Sequence, residues 1–113
     1  MGSTFIRGET THQMETMTIP VIMGEINEHM RRSGVPNSGW YVGITSDTDD
    51  RLFGFHRVRK TNHWYIARQC KNSTEARSIE AAYHRAGCKG GTGGGDNNSM
   101  IVYAYVITDY TVE

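Results

Sequence analysis

The chain has 113 residues, 37% of them apolar, and twelve Lys plus Arg balance twelve Asp plus Glu to a formal charge of zero. That length suits one domain with one core, and the neutral balance counts against strong, unspecific nucleic-acid binding by the surface as a whole. No apolar run approaches the roughly 20 residues that span a bilayer, and no basic-then-apolar secretory order opens the chain, so a cytoplasmic protein without a membrane segment is expected.

In chain order, residues 1–17 are polar and without period and are expected to form a flexible or loosely docked tail, leaving 18–113 as one domain. From Pro20 onward, Ile22, Ile26 and Met30 recur at helical spacing, and Arg31, Arg32 and Gly34 form a basic end with a glycine stop. A helix over about 20–33 follows from this pattern. After the turn at Pro36-Asn37-Ser38-Gly39, the run Trp40-Tyr41-Val42-Gly43-Ile44-Thr45 reads as a buried strand. Asp47, Asp49 and Asp50 then suit a helix start, and the pattern predicts a second helix over about 48–58, weakened by Gly54.

Trp64 to Cys70 has strand composition, and Asn72, Ser73 and Thr74 offer caps for the clearest helix, over about 74–86. Its apolar stripe is Ala76, Ile79, Ala82, Tyr83 and Ala86, with Gly87 as the stop. The stretch from Gly90 to Asn98 is too glycine-rich for regular structure, and Met100 to Ile107 is a final β-branched and aromatic strand. Strands and helices interleaved in this way imply an α/β (α+β) fold with a small three-stranded sheet flanked by helices. Cys70 and Cys88 lack zinc-ligand spacing and are expected to be reduced thiols.

Arg51, Arg57, Arg59 and Lys60 lie within ten residues and make the strongest local positive field. Such a run is either a solvated surface or a phosphate track. The glycine loop has no GxxxxGK[ST] pattern, which argues against a nucleotide-binding P-loop.

Tyr41-Val42-Gly43 on a strand, Arg51 ten residues after the tyrosine, His56 beyond it, a second strand, and Glu80 on the helix after that strand resemble the signature of the GIY-YIG nuclease superfamily. The resemblance spans roughly residues 39–98. It implies a Mg²⁺-dependent (or Mn²⁺-dependent) endonuclease acting on DNA. Glu80 would hold the metal, Arg51 would contact the scissile phosphate, and Tyr41 with His56 would orient or deprotonate water. Arg57, Arg59 and Lys60 would bind the nucleic acid.

The first strand of that family, bearing the GIY motif, has no counterpart ahead of Tyr41. The C-terminal strand is expected to take its place, bringing Tyr103 or Tyr105 into the site. His56 follows Arg51 by five residues where the family usually has four, and a bend at Gly54 would restore the alignment. The family's later asparagine has Thr92 in its place, with Asn97 and Asn98 as substitutes.

Each residue also has a plainer reading. Tyr41 would be a core aromatic, Arg51 a surface partner of Asp47, His84 a surface histidine, and His63 and Trp64 strand-start residues rather than a stacking platform. The alternative to an enzyme is a catalytically inactive domain of the same type that binds nucleic acid or a protein partner. Specific DNA interfaces commonly bury 1,000 Å² or more, so sequence specificity in so small a domain would call for a homodimer or partner.

Overall fold

The computed structural model describes residues 8–10, 17–91 and 96–113. Its elements are β1 (Gly8–Thr10), α1 (Ile19–Ser33), β2 (Trp40–Thr45), a π-helical turn (Asp49–Phe55), β3 (Tyr65–Gln69), α2 (Ser73–Arg85) and β4 (Ile101–Val106). This is the expected α+β arrangement, with three antiparallel strands at its centre. Among the described residues no helix is long and apolar enough to cross a membrane.

The sheet order is β1-β3-β4-β2, so the C-terminal strand lies in the middle, antiparallel to both neighbours. Gly8–Thr10 adds a short parallel strand beside β3, and the Met17 amide donates to the Gln69 carbonyl at 3.2 Å, so these parts of the N-terminal segment are docked on the sheet. The rest of the segment expected as a tail, 1–7 and 11–16, lies outside the described residues.

Alternation along the strands divides the sheet into two faces. Trp40, Val42 and Ile44 of β2, Val102 and Ala104 of β4 and Ile66 of β3 pack with Ile22, Ile26 and Met30 of α1 and with Ala76, Ile79 and Tyr83 of α2. Cys70 and Cys88 are buried, free thiols in this layer, and burial pushes Cys70 up to about 11. The helices end where expected. Gly34 and Gly87 adopt φ values of 74° and 108°, which side-chain-bearing residues rarely do, and the Asn72 side chain caps α2 by accepting from the Glu75 amide at 2.8 Å.

The opposite face carries tyrosines. Tyr41 stands opposite Tyr105, and Tyr105 opposite Tyr65, across the three strands, while Tyr103 is flanked by Gly43 and Ala67. Leu52 and Val58, from the π-helical turn and the loop after it, are buried against this face.

The outer edge of β2 is closed by the last turn of α2 and the segment after it. The Lys89 amide donates to the Trp40 carbonyl at 2.8 Å, the Val42 amide to the Lys89 carbonyl at 2.9 Å, and His84 Nε2 to the Val42 carbonyl at 2.8 Å. An edge satisfied in this way offers little template for another strand.

Candidate active site

The site forms where the tyrosine face meets the β2 edge. Strand register places Gly43 directly beside Tyr103, and a Cβ at position 43 would come within 2.5 Å of the Tyr103 hydroxyl. Glycine is therefore required there so that the phenol can lie across β2. Tyr41, two residues earlier on the same face, stacks nearly parallel to Tyr105 at 5.2 Å and to Tyr103 at 6.3 Å. Its hydroxyl accepts from the Gly91 amide at 3.1 Å, so the start of the glycine loop is tied to the site.

The segment after β2 is not an ordinary α-helix with a bend at Gly54, as expected, but a seven-residue π-helical turn. Its hydrogen bonds run over five residues, and the His56 amide donates to the Arg51 carbonyl at 2.9 Å. A five-residue spacing is thus one full hydrogen-bonded turn, which places Arg51 and His56 one above the other. Gly54 has no special φ, and a Cβ there would meet only Asp50 Oδ1 at an ordinary 3.6 Å, so the spacing is accommodated by the wide turn rather than by a bend at this glycine.

His56 is only 1% exposed and has both ring nitrogens engaged. Nδ1 lies 2.6 Å from the Val112 carbonyl oxygen, which can only accept, so Nδ1 carries the proton and Nε2 is the acceptor. The Tyr103 hydroxyl donates to Nε2 at 2.7 Å. Burial holds His56 below the ordinary imidazole value, and the nearby Arg51 charge adds to this, while the Val112 carbonyl opposes it. Tyr105 is fully buried behind the ring, with its hydroxyl 3.0 Å from Nδ1 and 3.3 Å from the Val112 carbonyl. Its place is in the support of His56 rather than at the surface.

The charges of Arg51, on the π-helical turn, and of Glu80, on α2, both bear on the Tyr103 hydroxyl. Tyr103 is raised well above the ordinary phenol range chiefly by burial, with Tyr41 and Glu80 pushing the same way and Arg51 opposing them. The Arg51 guanidinium lies 5.1 Å from the centre of the Phe55 ring and, among the described residues, forms no ion pair with Asp47. Glu80 is half-buried on α2, one turn before His84, the residue that grips the β2 edge. Burial raises its carboxyl, against the charges of His84 and Arg77, and no hydrogen bond among the described residues compensates it.

A half-buried carboxylate without such a partner fits a divalent cation that takes one carboxylate and keeps several waters. No group of three or more His, Cys, Asp or Glu converges among the described residues, so such an ion would draw its other ligands from water and substrate phosphate.

Of the residues expected in the site, Tyr41, His56, Tyr103 and Tyr105 are in direct contact, Arg51 lies one hydrogen-bonded turn from His56, and Glu80 is linked to them through its charge on Tyr103. Arg57, Arg59 and Lys60 are all exposed on the loop that leaves the π-helical turn. Arg57 has φ 62°, Arg59 lies 3.8 Å over the Tyr110 ring and Lys60 lies 5.3 Å from the centre of Phe53, so aromatic side chains hold two of the three charges in place.

Other residues are placed elsewhere. His63 is buried, bonded to the Val106 carbonyl and the Tyr110 hydroxyl at 2.8 and 2.9 Å, and Trp64 is half-buried, so neither is a stacking platform. Asn97 and Asn98 are exposed in a turn closed by Asp96, and Thr92 lies outside the described residues.

Sequence reasoning missed Val112, Gly91 and Phe55. Nothing in residues 107–113 signals that a carbonyl from this segment would set the His56 tautomer. No protein-family model, curated protein or solved structure matches this chain.

Proposed function

We propose that the chain is a metal-dependent endonuclease that hydrolyses phosphodiester bonds of DNA. The observation that carries this reading is the Tyr103–His56 pair, a phenol whose proton points at an acceptor imidazole, with the charges of Arg51 and Glu80 within electrostatic reach of that phenol. Phosphodiester hydrolysis needs a nucleophile that loses a proton, a cation on the phosphate oxygens and stabilisation of the leaving alkoxide.

Arg51 presents a planar fork suited to two phosphate oxygens. Tyr103 passes its proton toward His56 Nε2 as its oxygen takes one from the attacking water, and Tyr41, the most accessible phenol of the stack, orients that water. Mg²⁺ or Mn²⁺ held by Glu80 would supply charge neutralisation and a lowered water pKa. Arg57, Arg59 and Lys60 would carry the DNA backbone past the site, with affinity that falls as salt rises.

A second reading has one specific observation behind it. Tyr103 is only 3% exposed, which also suits a domain that keeps the architecture, binds nucleic acid and leaves it intact. Incubation of supercoiled and branched DNA with the protein in Mg²⁺, Mn²⁺ or EDTA separates the two. Metal-dependent nicking supports the enzyme, and binding without cleavage by folded protein supports the module.

A further inference from the structure

Phe55 is 50% exposed, and among the described residues no other aromatic ring is as open to solvent. A lone exposed apolar residue is ordinary on a protein surface. Three features separate Phe55 from that background. It stands four residues after Arg51 in the π-helical turn, with the guanidinium 5.1 Å from its ring centre. The His56 ring meets it edge-on at 5.0 Å, so the phenyl is braced from two sides. The exposed cations Arg57, Arg59 and Lys60 follow within five residues. A braced, solvent-facing ring beside a phosphate-binding arginine, continued by a basic track, has the composition of a site for unpaired nucleotides. There the cations follow the backbone and a base stacks on the ring.

We infer that the site takes a nucleic acid with an unstacked base next to the phosphate that Arg51 holds, such as a single strand, flap or bulge, and that Phe55 is the residue that stacks on that base. Within a continuous duplex both faces of every base are already covered, so Phe55 would have nothing to stack on unless a base left the helix. The inference rests on the nuclease reading for its catalytic consequence but has its own binding signature.

The test measures binding by fluorescence anisotropy in Ca²⁺, using a labelled single strand, a perfect duplex and the same duplex with a two-base bulge. A 2-aminopurine in the bulge reports stacking. Wild-type protein is expected to prefer the single strand and the bulge over duplex by about tenfold, which corresponds to about 1.4 kcal/mol. Phe55→Ala should remove that preference and the 2-aminopurine response, Phe55→Trp should keep both, and Phe55→Leu, apolar but without a π face, should behave like Phe55→Ala.

Equal binding to all three probes by wild type, equal loss on all three in Phe55→Ala, or a Leu variant as selective as Trp would overturn the inference. Cleavage in Mg²⁺ is scored separately. Binding selectivity that depends on Phe55 without any cleavage would sink the nuclease reading while supporting the stacking role. Cleavage of perfect and bulged duplex at one rate, insensitive to Phe55, would do the reverse.

Discussion

The Tyr103 hydroxyl donates to Nε2 of His56 across 2.7 Å, from a central strand to the end of a π-helical turn. The direction of that bond is fixed by a third group, the Val112 carbonyl at Nδ1. Tyr103→Phe removes one hydroxyl and leaves the ring packing intact. It should lower stability by about 1–3 kcal/mol, because the buried Nε2 is left without a donor, and lower cleavage by about 10²-fold or more. Chemical denaturation and single-turnover cleavage measure the two effects. A variant that loses stability but retains full activity would confine Tyr103 to a structural role.

Gly43→Ala tests the close approach that positions this phenol. The new methyl would meet the Tyr103 oxygen at 2.5 Å, so either the ring or strand β2 must shift. A cost of about 1–3 kcal/mol is expected, together with loss of the Tyr103–His56 alignment. Unchanged stability and activity would show that Tyr103 does not lie across Gly43.

How much of this was legible in the sequence differs from element to element. Helix α1, strand β2 and helix α2 follow from hydrophobic spacing, caps and glycine stops that act locally, and their observed limits agree with the pattern to within a residue or so. The centre of the sheet was readable only through an analogy, since composition says that residues 101–106 form a strand but not which strands they pair with. The π-helical turn was out of reach. A five-residue spacing signals it only once the hydrogen bond from the His56 amide to the Arg51 carbonyl has been seen. The Val112 contact was equally hidden, because a backbone carbonyl leaves no trace in side-chain chemistry.

Acid should weaken the fold from near pH 6.5 downward. His56 and His63 are both held below the ordinary imidazole value of 6.5 mainly by burial, so the folded state resists protonation that the unfolded chain accepts freely. Between 6.5 and the lower folded values the unfolded chain binds more protons, and stability there rises with pH. The neutral-histidine contribution is therefore complete above about 6.5 and is lost on acidification. Urea midpoints measured from pH 8 to 5 should fall, and a His63→Gln variant should show a shallower decline. A flat profile would mean that the two rings are more accessible to water than their burial indicates.

The most direct test of the central claim compares Mg²⁺-dependent nicking of supercoiled DNA by the wild type and by Glu80→Gln. Burial raises the Glu80 carboxyl above its ordinary 4.5, so a charged Glu80 costs stability as pH rises past its folded value, and the neutral glutamine should melt no lower than wild type at pH 7. A melting curve of the variant at pH 7 separates loss of activity from unfolding. The account predicts nicking by the wild type that EDTA abolishes and a loss of about 10²-fold or more in the variant. Equal cleavage by both proteins, or none by the folded wild type, would contradict it.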